Sequence, residues 1–227
     1  MIRVTENLRK IRDLLATAAV DAGRDPANVK LLAVGKRQPV SSILEAVEAG
    51  QHDFGENQVA EGCEKVDSID DDALTWHFIG HLQSNKTRAV AERFHWVHSI
   101  DSFKTARRLS EQRPEDLTDL QICIQVNVDD ERSKSGVAPN QARELALRIS
   151  ELPRLRLRGL MCLPAIREDF EAQREPFARL RELADELRGD GLPLDTLSMG
   201  MSDDYRAAIF EGSTIVRIGT AVFGPRT

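Results

Sequence analysis

Val29-Lys30-Leu31-Leu32-Ala33-Val34-Gly35-Lys36 is apolar for most of its length and closes on a lysine. A run this short, bounded by turn residues and rich in branched side chains, reads as a buried strand. Lys36 then stands where the strand reaches solvent. A lysine that ends a strand and snorkels into water is the plainer reading of this segment alone. The alternative is chemical. Desolvation favours the neutral amine, and a neutral amine is a nucleophile able to form a Schiff base with an aldehyde.

Seven further apolar runs follow: His52-Asp53-Phe54, Trp76 to Ile79, Trp96 to Ile100, Ile122 to Val128, Leu157 to Leu163, Leu194 to Met199 and Ile215 to Ile218. Helical patterns separate them, such as Phe177, Leu180, Leu183 and Leu187 with Glu and Arg on the opposite face. Strands alternating with helices pair in parallel, and closing the sheet removes both exposed edges. The expected fold is a single (β/α)8 TIM barrel spanning 1–227, with an extra N-terminal helix. That helix carries Val4, Leu8, Ile11, Leu15 and Ala18 at helical spacing, with Gly23 suited to its end. Little chain follows the last strand, so the opening helix is expected to cover the gap. An open doubly wound sheet is the second choice, but no Gly-x-Gly-x-x-Gly follows the first strand.

Bulk properties narrow the function. The chain has 227 residues, 41% of them hydrophobic, a net charge of -6 and a pI near 5.5. That charge argues against a nucleic-acid binder working by phosphate neutralisation. No stretch approaches the ~20 apolar residues of a membrane span, and the charged start lacks a signal-peptide core. Cys63, Cys123 and Cys162 have no metal-ligand spacing and read as small packing residues in a reducing cytoplasm. The Asp67, Asp70, Asp71, Asp72 cluster lacks calcium-loop spacing and reads as a solvated loop. No metal site is expected, and the molecule is expected to be a monomer.

In a barrel of this kind the active face lies at the C-terminal strand ends. There the sequence places Lys36, Gly55-Glu56-Asn57, Gly80-His81, Ser99 and Asp101, Asn127 with Ser133-Lys134-Ser135-Gly136, Met161, Ser198-Met199-Gly200-Met201-Ser202 and Gly219-Thr220. The loops after strands seven and eight offer hydroxyls, amides and glycines of the kind that hold phosphate. Ser202 also reads as a helix N-cap ahead of Asp203-Asp204, whose acids would then face outward. Alternation puts Arg217 and Gly219 on the same strand face, as it does Val34 and Lys36. Strands one and eight are neighbours in a closed barrel, so Arg217 and Lys36 are expected to share the mouth. An amine, a phosphate cradle and an arginine together match the aldehyde, phosphate and ring nitrogen of pyridoxal 5'-phosphate.

Eight segments then carry a family resemblance: Leu31 to Lys36, Phe54-Gly55-Glu56-Asn57, Trp76-His77-Phe78-Ile79-Gly80, Leu82 to Lys86, Ser133 to Gly136, Leu157 to Met161, Leu197 to Ser202 and Val216 to Thr220. In order and nearly over the whole length, the chain resembles the pyridoxal phosphate homeostasis proteins. The resemblance implies a barrel like the cofactor domain of alanine racemase, an internal aldimine at Lys36, Arg217 on the ring nitrogen and phosphate held by the last two loops. The expected cofactor-binding set is Lys36, Asn57, Ser198, Met199, Ser202, Arg217, Gly219 and Thr220, with no catalytic residue. Gly35, Gln58 and His81 depart from the Ser, Tyr and Pro usual in the family.

Three functions remain open at this stage. A carrier and buffer of the cofactor, delivering to recipient apo-enzymes, predicts a stable aldimine with negligible amino-acid turnover. A racemase needs a second acid/base on the opposite ring face, for which Tyr205, the only tyrosine, is poorly placed and His81 is the unusual candidate. A Schiff-base aldolase predicts trapping of Lys36 by a carbonyl substrate without cofactor. Lys86 and Lys134 near the rim offer a site for a second anion; ordinary surface lysines are the plainer reading.

Overall fold

The computed structural model describes residues 4–129 and 135–224. Eight parallel strands run β1 (Lys30–Val34), β2 (Asp53–Glu56), β3 (Thr75–Phe78), β4 (Trp96–Ile100), β5 (Leu120–Gln125), β6 (Leu155–Met161), β7 (Thr196–Ser198) and β8 (Ile215–Ile218). They pair in sequence order, and β8 closes on β1 with Leu32 opposite Arg217. The expected TIM barrel is therefore the observed one. Helices α2 (Val40–Glu48), α3 (Val59–Ser68), α4 (Thr87–Arg93), α5 (Phe103–Gln112), α6 (Pro139–Ser150), α7 (Phe170–Gly189) and α8 (Tyr205–Phe210) fill the crossovers.

Among the described residues, only a four-residue helix, α9 (Thr220–Phe223), follows β8. Helix α1 (Val4–Asp21) packs against α2, α8 and α9 and covers that gap, as its pattern foretells. Gly23 takes φ 68° just past its end, a conformation glycine reaches without a Cβ clash. Strand alternation divides the core in two. Outward residues such as Phe54, Phe78 and Ile122 pack with the helices in one large cluster. Inward residues Trp96, Cys123 and Met161 form a small separate cluster inside the barrel. No helix among the described residues is long and apolar enough to cross a membrane.

Candidate functional site

At the C-terminal end of the barrel lies a cavity of about 730 Å³. Lys36, Asn57, His81, Gln125, Ser135, Ser202, Asp203, Arg217, Gly219 and Thr220 line it, with Val34, Ile79, Leu163 and Met201 as apolar wall. Six of the eight anticipated site residues therefore meet there. Ser198 lies fully buried beneath it, and Met199 is turned into the outer core, its amide bonded to Ile215 O at 3.1 Å.

Lys36 sits where β1 gives way to a turn, and the backbone on either side of it is held. Gly35 N–H extends the ladder to Gly55 O at 3.0 Å. Gly35 O accepts from Gln38 N at 2.9 Å and from Lys65 Nζ at 2.7 Å. Arg37, at φ 58°, donates its N–H to Glu61 Oε1. Lys65 Nζ also meets Glu56 Oε1 at 2.8 Å and Glu61 Oε1 at 2.7 Å, so one buried ammonium ties the whole clamp together. Burial raises the Glu56 carboxyl to about 7, against the pull of Lys65 and, more weakly, Lys36. Glu56 Oε2 has no hydrogen-bond partner among the described residues. A Cβ on Gly35 would meet Glu56 Oε1 and Ile43 Cδ1, both at 2.7 Å. The first family departure thus points away from the mouth, as alternation indicates, and makes room for this clamp.

Arg217 is inward on β8 and only 4% exposed. It donates to Ser198 Oγ at 2.7 Å and to Cys162 O at 2.9 Å, neither of them a carboxylate. Burial lowers its pKa, yet a guanidinium stays charged. Asn57 Oδ1 is buried without a partner among the described residues. Its main chain passes so close to Gly80 that a Cβ there would lie 2.0 Å from Asn57 O. Ser99 Oγ donates to Gly80 O and fixes that turn.

The loop after β7 differs from expectation. Helix α8 begins at Tyr205, so Ser202 is not its cap, and the residue in that position, Asp204, makes no side-chain cap bond. Instead the Asp204 carboxylate accepts from Met201 N at 2.6 Å, turned back into its own loop and not outward. The reason is local: Gly200 takes a positive φ (93°), and the loop turns there so that the Met201 amide meets Asp204. Asp203 lines the cavity. Among the other departures, His81 reaches the cavity with Asp101 3.8 Å away, while Gln58 is exposed at the start of α3. Lys86 is exposed and does not line the cavity. Ser133 and Lys134 lie outside the described residues. No group of three metal-ligating side chains occurs among the described residues. Cys123 and Cys162 are buried, their thiols pushed up to about 12.

The chain matches the family model described as alanine racemase, N-terminal domain, over residues 3–227. The pyridoxal phosphate homeostasis protein of Pseudomonas aeruginosa is 54% identical over 226 residues, 100% of this chain and 97% of that one. The chain belongs to that family. The protein of the same name in Escherichia coli strain K12 is 49% identical over 98% of this chain and 97% of its own. The solved structure of Synechococcus elongatus PipY with PLP bound superposes with a TM-score of 0.85 at 36% identity, covering 97% of this chain and all of that one. Alanine racemase from Corynebacterium glutamicum shares the fold alone, with a TM-score of 0.75 at 17% identity over 99% of this chain and 61% of that one.

Two pairings are not anticipated in the sequence. Lys65 and Glu61 are four apart on α3 and look like an ordinary surface pair. His77 and His98 fall on inward positions of β3 and β4; the alternation applied to strands one and eight would have found them.

Proposed function

We propose that this protein binds pyridoxal 5'-phosphate at the barrel mouth through an aldimine with Lys36, and that it holds and hands over the cofactor. The convergence of Lys36 and Arg217 on one cavity carries this reading. The residues present fit the group. Asn57 Oδ1 is a buried acceptor awaiting a donor, and the apolar wall of Val34, Ile79, Leu163 and Met201 suits a planar ring. Ser202, Gly219 and Thr220 supply hydroxyls and close backbone for the phosphate, with Thr220 and Ala221 amides at the start of α9 lacking intrahelical acceptors. Ser198 contributes through Arg217, and Met199 by anchoring the loop that leads to Ser202.

When bound, the cofactor supplies an aldehyde and an electron-withdrawing ring. Arg217 would hold the ring nitrogen as a donor that does not surrender its proton, and a ring so held would be a weak electron sink. Tyr205 packs against the outer core and does not line the cavity, so no tyrosine stands ready as an opposing base. Both points favour a carrier and buffer, with recipient apo-enzymes as partners, over a racemase. Mixing loaded protein with an apo-enzyme tests this reading. Cofactor transfer with no α-proton exchange of amino acids in deuterated water is expected. Steady exchange of alanine at enzyme-like rates would overturn the carrier reading.

A further inference from the structure

Inside the barrel, beneath the cavity, a continuous line of hydrogen bonds runs from Arg217 to the opposite end of the sheet. Arg217 Nη1 meets Ser198 Oγ at 2.7 Å, and Ser198 Oγ meets His98 Nδ1 at 2.7 Å. His98 Nε2 meets His77 Nδ1 at 2.9 Å, and His77 Nε2 meets Asp53 Oδ1 at 3.1 Å. Asp53 opens β2 at the N-terminal rim, where Lys30 Nζ donates to the same oxygen at 2.8 Å. Both imidazoles are fully buried, and Trp96 stacks on His77 with ring centroids 5.4 Å apart.

Counting hydrogens settles the direction of this line. A guanidinium only donates, and an ionised carboxylate only accepts. Burial lowers the pKa of both histidines, so each ring is neutral near pH 7 and carries one N–H. Burial alone would raise Asp53, but the hydrogen bonds of His77 and Lys30 and the Lys30 charge leave it below its ordinary value. Three hydrogens therefore serve three internal links. The bond to Asp53 takes the His77 Nε2 hydrogen, so His77 Nδ1 must accept. His98 then donates from Nε2, its Nδ1 accepts, and Ser198 gives it the hydroxyl proton. Every bond points from Arg217 to Asp53, and bonds aligned this way polarise one another in a low dielectric.

We propose that Asp53, His77, His98 and Ser198 are positioning residues for Arg217: this one-way relay lets a carboxylate at the far rim fix the buried guanidinium and set how strongly it donates at the mouth. The inference rests on the reading of Arg217 as the partner of the cofactor's ring nitrogen. It explains how a guanidinium without a bonded carboxylate is tolerated so deep in the barrel. Asp204 adds a more distant negative charge to Arg217. Besides burial, Asp53, Lys30 and His95 act on His77, and His77 and Arg217 act on His98.

The first test needs no substitution. Nitrogen NMR of histidine-labelled wild-type protein, free of cofactor, should show both rings neutral and protonated at Nε2. A hydrogen on Nδ1 of either ring, or an imidazolium at pH 7, would overturn the relay. The second compares Asp53→Asn with wild type in titrations with pyridoxal 5'-phosphate carrying a labelled ring nitrogen. Asparagine keeps the shape and removes the charge. We expect about tenfold weaker binding, the size of one compromised buried hydrogen bond, and a shifted ring-nitrogen resonance. A purely structural Asp53 would leave that resonance unmoved, and an unchanged resonance and affinity would overturn the proposal while leaving the cofactor site intact. Failure of wild type itself to bind would instead defeat the cofactor reading.

Discussion

Replacing Lys65 with methionine should damage this protein in a way that depends on pH. The substitution keeps the length and apolar stem of the side chain and removes the ammonium that joins Gly35 O, Glu56 and Glu61. Removing one member of a buried ion pair costs about 3–5 kcal/mol. Glu56 determines the pH dependence. Its carboxyl sits near 7 with Lys65 present, so wild-type folding stops losing stability to its ionisation soon above that pH. Without the ammonium, the native carboxyl holds its proton to a higher pH. Stability of the variant then keeps falling, by about 1.4 kcal/mol per pH unit. The gap between the two proteins should widen by about 1.4 kcal/mol from pH 6 to pH 8. Urea unfolding at both pH values measures it, and adding Glu56→Gln to the variant should abolish the widening. A gap below about 1 kcal/mol, or one that does not change with pH, would mean that Lys65 does not hold Glu56 and Glu61 together as a buried ion pair.

Other consequences can be checked alongside. Glu56 has its native pKa raised from 4.5 to about 7, so the native state retains a proton that the unfolded chain has released. Its contribution is fully present below about pH 4.5 and is lost as pH rises to about 7; Glu56→Gln should flatten that window, measured as a difference from wild type. Gly80→Ala drives a Cβ to within 2.0 Å of Asn57 O, and overpacking of that kind should cost about 1–3 kcal/mol in thermal unfolding and weaken cofactor binding. Thiol titration of the folded protein at pH 8 should find at most Cys63 reactive, with Cys123 and Cys162 appearing only on unfolding. Early labelling of either buried thiol would contradict the packing described.

The barrel was legible because its signals are local and repeated. Apolar runs alternate with amphipathic stretches, and β1 declares itself by Leu31 to Val34 with nothing polar inside it. Alternation also carried Lys36 and Arg217 to one mouth, since parity on neighbouring strands survives small errors in strand limits. The strand limits themselves shifted: β2 runs on to Glu56, where the pattern had stopped at Phe54. What the sequence hid depends on long-range packing. Lys65 is 3% exposed because α3 lies on β2, which no spacing along α3 reveals. The loop after β7 misled because Ser202-Asp203-Asp204 satisfies a cap pattern. The backbone at Gly200 lets Asp204 reach back to Met201 instead, and the cap position falls at Asp204, two residues later.

An aldimine at Lys36 is read most directly from the visible absorption spectrum of the purified protein with added pyridoxal 5'-phosphate, recorded beside Lys36→Ala. An aldimine band is expected in wild type and absent from the variant. No band in the cofactor-loaded wild type, or the same band in both proteins, would contradict it.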